Sequence, residues 1–417
     1  MKPIRLTKNP YLLFLPFLLI YAVYVILHCE PSQGDEIRYL FYTENLLHGS
    51  YSPPAPNIIL ISGPGYPIIL MPLKALHLQK IWMILLNAVF QYLSIIFLFK
   101  SLQRFFSFKI TLLVSLFWAC YFNILEYIAL IYTESITILS VSLLIYFLIK
   151  AFDPDKVTKA TKYIILSGIT IGFIALTKLI FGYVLLLMLV GMGIIWISNR
   201  KAVNYRKGMA VMLIAFATFA PYLIYTYHLT GRAFYMGTGS ENLYWMSTPN
   251  EREYGNYLTP HATDSLRLIH QNEIKEIKKD QGVKQDDNYK SVAMINIKSH
   301  PVKFLQNCVS NLGRILFNYP YSYTFQKPAT LLRLPFTGLI VVCGLFCLVP
   351  TLLNWRKIIF PLRLLIFFAF LYLGGSIFGS AETRMFTIVV PILLFWIAYI
   401  MQRSMKIKLK FTEDIQQ

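Results

Sequence analysis

The sequence predicts an all-α polytopic membrane protein with about ten transmembrane helices. Its 417 residues are 56% hydrophobic and only 14% charged, with a mean hydropathy of +0.54. Soluble domains are about half apolar and about a quarter charged. The excess falls in runs of roughly 20 residues, the length that carries a helix across a bilayer core. The runs are continuous rather than alternating, so they do not read as strands of a barrel. Lys and Arg collect in every second link between the runs, which assigns those links to the cytoplasmic face.

The formal charge of +19 is accounted for by these links. The basic residues flank spans and form no single face, so no nucleic-acid partner is expected. Five cysteines, Cys29, Cys120, Cys308, Cys343 and Cys347, show no metal-ligand spacing with His. Cys343 and Cys347 share one face of an apolar helix as small packing residues. Cys29 and Cys308 both fall outside, where a disulfide can form.

The elements follow in order. Lys2, Arg5 and Lys8 precede an apolar run, Tyr11 to Leu27, with no small-residue cleavage site after it. It reads as a retained first span running outward. Residues 29–80 form a first outer loop rich in Pro and Gly. Asp35 to His48 fits a short interfacial helix closed by Gly49, with Ile37, Leu40, Phe41 and Leu47 on one side. Ser52 to Pro56 breaks it, and Gly63-Pro-Gly-Tyr-Pro67 opens a second short segment. Ile81–Phe99, Ile110–Leu125, Tyr132–Ile149, Tyr163–Thr177, Leu179–Ile197 and Met209–Tyr227 are the next spans. Residues 228–332 are polar and read as a small helical extracytoplasmic domain, with helices expected over Asp264–Gln281, Asp287–Lys298 and Pro301–Phe317. Leu334–Leu353, Pro361–Phe378 and Met385–Met401 complete the spans in residues 333–417 and lead to a basic tail. Residues 1–227 thus form a transmembrane catalytic module, and both termini are expected to be cytoplasmic.

This topology brings Asp35, Glu36, Glu134, Lys178, Glu382 and Arg384 to the outer face. Ionisable groups at a membrane edge are candidates for function. Carboxylates beside cations suit a transfer reaction at phosphate. A carboxylate takes a proton from an attacking hydroxyl. Arg and Lys hold the phosphate and stabilise the charge that grows on it. Tyr66, Tyr235, Tyr244 and Trp245 are candidates for stacking on a sugar, in a chain that is 16% aromatic.

Several motifs in sequence carry a resemblance. Asp35-Glu36-x-x-Tyr39, the Leu46-Leu47-x-Gly49 turn and Gly65-Tyr66-Pro67 are followed by Tyr132-Thr-Glu134. Then come Gly172-Phe-Ile-Ala-Leu-Thr-Lys178, Thr230-Gly-Arg232 and Glu241-Asn-Leu-Tyr244-Trp245. Ser299-His-Pro301 and Glu382-Thr-Arg384, ahead of a span bearing Pro391, close the series. In this order they resemble the GT-C class of integral-membrane glycosyltransferases, the bacterial relatives of protein O-mannosyltransferases and lipid A aminoarabinose transferases. The resemblance implies Asp35 as the catalytic carboxylate, supported by Glu36 and Glu134, and a polyprenyl-phosphate sugar as donor. Lys178, Arg384, Tyr66, Arg232 and Tyr244 are the expected substrate and phosphate contacts. Asp35, Glu36 and Glu134 are the candidate ligands should a divalent metal take part. Where some relatives carry Lys or His before the Pro-rich part of the first loop, this chain has Ser62-Gly63-Pro64.

The expected reaction is inverting transfer of one sugar to an extracytoplasmic glycan or lipid acceptor, in a plasma membrane of bacterial inner-membrane type. Two rivals stand beside it. A polysaccharide polymerase or ligase would favour catalytic Arg or His in a large outer loop. A transporter or flippase of lipid-linked sugars would show internal repeats and broken helices at mid-membrane.

Overall fold

The computed structural model describes residues 9–154, 157–199, 202–256, 264–322, 331, 334–379 and 381–404. The expected basic residues Lys2, Arg5, Lys8 and Lys156, and those of the tail from 405 onward, lie outside the described residues. So does Ser380 in the last outer loop. Among the described residues every regular element is a helix.

After a short turn at Pro10–Leu13, α1 spans Leu15–Leu27. The outer loop supplies α2 (Asp35–Leu47) and α3 (Gly65–Ala75). Then come α4 (Lys80–Leu102), α5 (Phe108–Ala119, continued by short turns to Ile128), α6 (Glu134–Ala151), α7 (Val157–Thr177), α8 (Ile180–Ser198) and α9 (Val203–Thr230). Four polar-region helices follow: α10 (Gly239–Met246), α11 (Asp264–Ile277), α12 (Val283–Ser299) and α13 (Pro301–Phe317). The chain ends with α14 (Leu334–Leu353), α15 (Phe360–Ser376) and α16 (Thr383–Ser404).

Eight of these have the length and apolar content to cross a membrane: α4, α5 with its continuation, α6, α7, α8, α9, α14 and α16. The expectation of ten spans included α1 and α15, which are apolar but only 13 and 17 residues long. The run expected from Tyr11 is interrupted at Phe14, which is fully buried between the first turn and α1. α15 ends at Ser376, just past Gly374-Gly375.

The bundle is built around α6, which packs on α4, α7 and α16. α7 also lies tightly along α9. A Cβ at Gly168 would come within 2.6 Å of the Ile214 side chain, and one at Gly172 within 2.5 Å of Thr218. Small residues at such a crossing let helix backbones approach where no hydrophobic force drives them together. At the far end of α4 and α6, Arg104 pairs with Asp153 at 2.9 Å.

α2 forms where expected, and Gly49 adopts a φ of 80° just past its end. Ile37, Phe41 and Leu47 are exposed, while Glu36, Tyr39, Tyr42 and Thr43 face inward. The polar region has its own small cluster of Tyr244, Trp245, Ile277, Tyr289 and Ala293, joining α10, α11 and α12. Cys29 and Cys308 are free thiols rather than a disulfide.

Candidate active site

Four chain segments deliver charge to one place. Asp35 opens α2, Glu134 opens α6, Lys178 links α7 to α8, and Arg384 lies in the first turn of α16. An acidic residue at the start of a helix is favoured by the helix dipole, which suits Asp35 and Glu134 in these positions. Arg384 Nη1 donates to Asp35 Oδ2 at 3.3 Å, and its Nε lies 3.9 Å from Glu134 Oε1 and 2.8 Å from Glu382 Oε2. Lys178 Nζ donates to the same Glu134 oxygen at 2.8 Å. The Arg384 guanidinium also sits 5.5 Å from the centre of the Tyr132 ring. Glu134 is almost fully buried, and its second oxygen, Oε2, has no hydrogen-bond partner among the described residues.

Asp35 is part-exposed, with 27% of its side chain accessible; in this chain of charges Glu382, at 39%, is more open. Asp35 Oδ1 is 3.0 Å from Arg38 Nη2, one helical turn on. Burial by itself would raise the Asp35 carboxyl. Arg38, Arg384 and Lys178 together outweigh that and hold it below the ordinary carboxylate range. Arg38 escaped the sequence reading, although an Asp–Arg pair at i, i+3 is a recognisable helix signal. Its Nε donates to Ser62 Oγ at 3.1 Å, and the Ser62 carbonyl accepts from the Tyr51 hydroxyl at 2.7 Å. Ser62 thus orients an arginine supplied by α2.

The next residues explain how the outer loop reaches the bundle. A Cβ at Gly63 would lie 1.9 Å from the Leu176 carbonyl oxygen, and one at Gly65 2.4 Å from Thr177 Oγ1. Only glycine allows the start of α3 to press on the end of α7, directly before Lys178.

The remaining expected residues are placed differently. Glu36 is fully buried and turned away from Asp35. Its Oε1 is 2.7 Å from Lys80 Nζ and accepts from the Ile131 amide at 2.8 Å, and its Oε2 accepts from the Gln33 amide at 3.1 Å. It therefore ties the outer loop to the link between α5 and α6. The expected metal-binding trio does not assemble. Glu36 points elsewhere, and the Arg384 guanidinium contacts both Asp35 and Glu134. Among the described residues no three His, Cys, Asp or Glu side chains converge as a metal site requires. Tyr66 is fully buried against Tyr39, with its hydroxyl toward Asn87 Oδ1, and offers no face to a sugar. Tyr244 is likewise buried, with its hydroxyl 2.7 Å from both His270 Nδ1 and Glu273 Oε2. Arg232 is engaged with Asp287 at 2.6 Å and Asp286 at 3.4 Å.

Two cavities meet at the start of α10. One, of about 630 Å³, holds Asp35, Arg38, Tyr132, Arg384, Glu126 and Glu241 on its walls. Burial raises the Glu241 carboxyl there, with Lys278 opposing. The other, of about 760 Å³, has Ile180, Tyr183 and Leu187 of α8 on one side and Arg232, Asp287 and Lys290 on the other. Asn242 borders both.

The sequence of residues 64–225 matches the family model described as dolichyl-phosphate-mannose-protein mannosyltransferase. That stretch includes Glu134 and Lys178; Asp35 and Arg384 lie outside it. No curated protein sequence matches the chain. Among solved structures, the archaeal oligosaccharyltransferase AglB from Archaeoglobus fulgidus, in complex with an inhibitory peptide and a dolichol-phosphate, aligns over 93% of this chain and 50% of its own. The TM-score is 0.50 and the identity 12%. Its apo form aligns over 92% and 50%, with a TM-score of 0.51 at 12% identity. ArnT from Cupriavidus metallidurans, bound to undecaprenyl phosphate, aligns over 92% of this chain and 77% of its own, with a TM-score of 0.42 at 11% identity. The chain spans about half the length of the oligosaccharyltransferase it matches. The central part of the bundle is thus similar in sequence to that family, and the fold is shared with the oligosaccharyltransferase over nine-tenths of the chain.

Proposed function

We propose that this protein moves one sugar, with inversion, from a polyprenyl-phosphate carrier to an extracytoplasmic glycan or lipid acceptor, and that Asp35 is the general base. The observation that carries the reading is the part-exposed Asp35 carboxylate, held between Arg38 and Arg384 in a cavity that adjoins a half-apolar groove. In the aligned oligosaccharyltransferase a dolichol-phosphate is bound, which supports a donor of that chemistry. The groove suits it: an isoprenoid chain lies along α8, and the phosphate reaches past Asn242 into the adjoining cavity lined by Arg38 and Arg384.

The chemistry balances on residues of this chain. The acceptor hydroxyl attacks the anomeric carbon, and its proton passes to Asp35. The bond from the anomeric carbon to the phosphate oxygen breaks, and its electron pair stays on the phosphate. Arg384 and Arg38 stabilise that growing charge. Arg384 is held by three carboxylates before the donor arrives. Drawing it onto the phosphate loosens its grip on Asp35 and makes that carboxylate a better base. Glu134, fixed by Lys178, keeps Arg384 aligned.

We read the topology as ten spans, with α1 and α15 completing the set, residues 228–332 as the outer domain and the Asp35 site on the outer face. Lys100, Lys150, Arg356 and Arg403 at the opposite helix ends support cytoplasmic termini. Purified Asp35→Asn in lipid nanodiscs, given a polyprenyl-phosphate hexose, tests the base. Loss of transfer is expected from a protein that stays folded and monodisperse and unfolds only slightly earlier, since the ion pairs to Arg38 and Arg384 are weakened. Near-normal transfer by this variant would remove Asp35 from that role.

A further inference from the structure

The helix α13 is built inside out for a helix in water. Its inward face is polar: Asn307, Asn311 and Arg314 are between 0 and 1% exposed. Its outward face is aliphatic, with Val302 at 68%, Leu305 at 63%, Val309 at 70% and Leu312 at 42% exposure. These four fall at helical spacing on one charge-free stripe. Its flanking lysine, Lys303, turns off that stripe to donate to the Glu253 carbonyl.

The polar face is not idle. Asn307 Nδ2 donates to the Met246 and Thr248 carbonyls at the end of α10, and Asn311 Nδ2 donates to the Ile377 and Gly379 carbonyls past the end of α15. Arg314 donates to the Pro320 carbonyl. α13 is thus fastened to the helix that separates the two cavities and to the segment that leads into Arg384.

We infer that the aliphatic stripe of α13 is immersed among the acyl chains of the outer leaflet. The occupant is lipid because the stripe continues an existing lipid-facing surface. α13 packs against the spans α14 and α16. On α14 the outward residues Leu345, Phe346 and Val349 are equally exposed. A stripe of this kind, with its polar partners turned into the protein, is what an interfacial helix presents to a membrane. α13 belongs to the small extracytoplasmic region expected over residues 228–332, and forms its membrane-bound edge. Its depth in the bilayer sets the height of α10 and of Arg384, so the reaction centre is held at a fixed level relative to the lipid phosphates.

The inference does not depend on the donor or on Asp35, and its test is independent of transfer. In a background with the five native cysteines replaced by alanine, a spin label is placed at position 309 (Val309→Cys) in nanodiscs of phosphatidylethanolamine and phosphatidylglycerol. Collision with oxygen and with a water-soluble nickel chelate is then measured. Labels at Leu345 on α14 and at Lys275 on α11 mark lipid and water. The label at 309 is expected to match Leu345, with frequent oxygen and rare chelate collisions. A chelate response like that of Lys275 overturns the inference, and low collision with both means that protein covers the stripe instead. Leu305→Cys provides the same measurement should the label at 309 prevent folding.

Discussion

Removing the Arg384 side chain separates its structural role from its chemical one. Arg384 contacts Asp35 at 3.3 Å, Glu134 at 3.9 Å and Glu382 at 2.8 Å. In Arg384→Ala neither Asp35 nor the buried Glu134 loses its last cation, because Asp35 keeps Arg38 at 3.0 Å and Glu134 keeps Lys178 at 2.8 Å. The stability loss therefore stays below the roughly 3–5 kcal/mol that follows stripping a buried ion pair of one partner. A charge-bearing hydrogen bond, about 1.5–3 kcal/mol, is the better guide. The chemical loss is larger. A fixed donor to the developing transition-state charge is worth about 2.7–4 kcal/mol, or roughly 100- to 1000-fold in rate. The expected protein is folded, unfolds slightly earlier, and transfers sugar two to three orders of magnitude more slowly. Arg384→Lys retains the charge and loses the fork, so it recovers part of the rate. Initial rates with a polyprenyl-phosphate hexose in nanodiscs, beside scanning fluorimetry of the same preparations, check both numbers. If Arg384→Ala kept its rate within a few-fold, or if alanine and lysine variants lost activity only in step with folded protein, the phosphate role would be refuted.

Three further outcomes follow from the geometry. Asp35 has a folded-state pKa below its ordinary value, so its contribution to stability is present above that value and is lost as pH falls through the lowered one. The acid limb of the pH–rate profile for kcat/KM should accordingly lie at low pH, and Arg38→Ala should move it upward, because burial is then less opposed. Glu36→Ala takes the buried acceptor from the Ile131 amide and leaves Lys80 with only the Glu30 carbonyl, so it should cost about 1.5–3 kcal/mol. Its folded fraction should retain the specific activity of the parent, read as transfer per mole of monodisperse protein. Gly65→Ala drives a methyl group to 2.4 Å from Thr177 Oγ1. Strain of about 1–3 kcal/mol is expected, with a drop in transfer as the link carrying Lys178 is displaced, measured by unfolding and initial rates together.

The helical bundle was legible because bilayer thickness imposes a run length that composition reveals directly. Side-chain facing was less so. Asp35 and Glu36 are chemically alike neighbours, yet successive residues on a helix point about 100° apart. One therefore reaches the cavity while the other locks onto Lys80 and the Ile131 amide. Their separation depends on how α2 rolls on the bundle, a tertiary property. Tyr66 and Tyr244 illustrate the same limit: an aromatic in a motif can line a sugar site or fill a core, and here both are buried. For α13 the apolar spacing was visible in the sequence, but amphipathic spacing alone does not say which side holds the protein.

The contact between Asp35 and Arg384 joins positions 349 residues apart. Chains emerge from the ribosome amino terminus first, so the aspartate reaches the membrane long before its arginine exists. Until α16 inserts, the nascent bundle has a carboxylate with Arg38 but without Arg384, the second of its two guanidinium partners. On the proposed reading, the site is completed only when α16 is in place. Severing the chain between α15 and α16 and expressing the halves together should restore transfer only when that last helix docks.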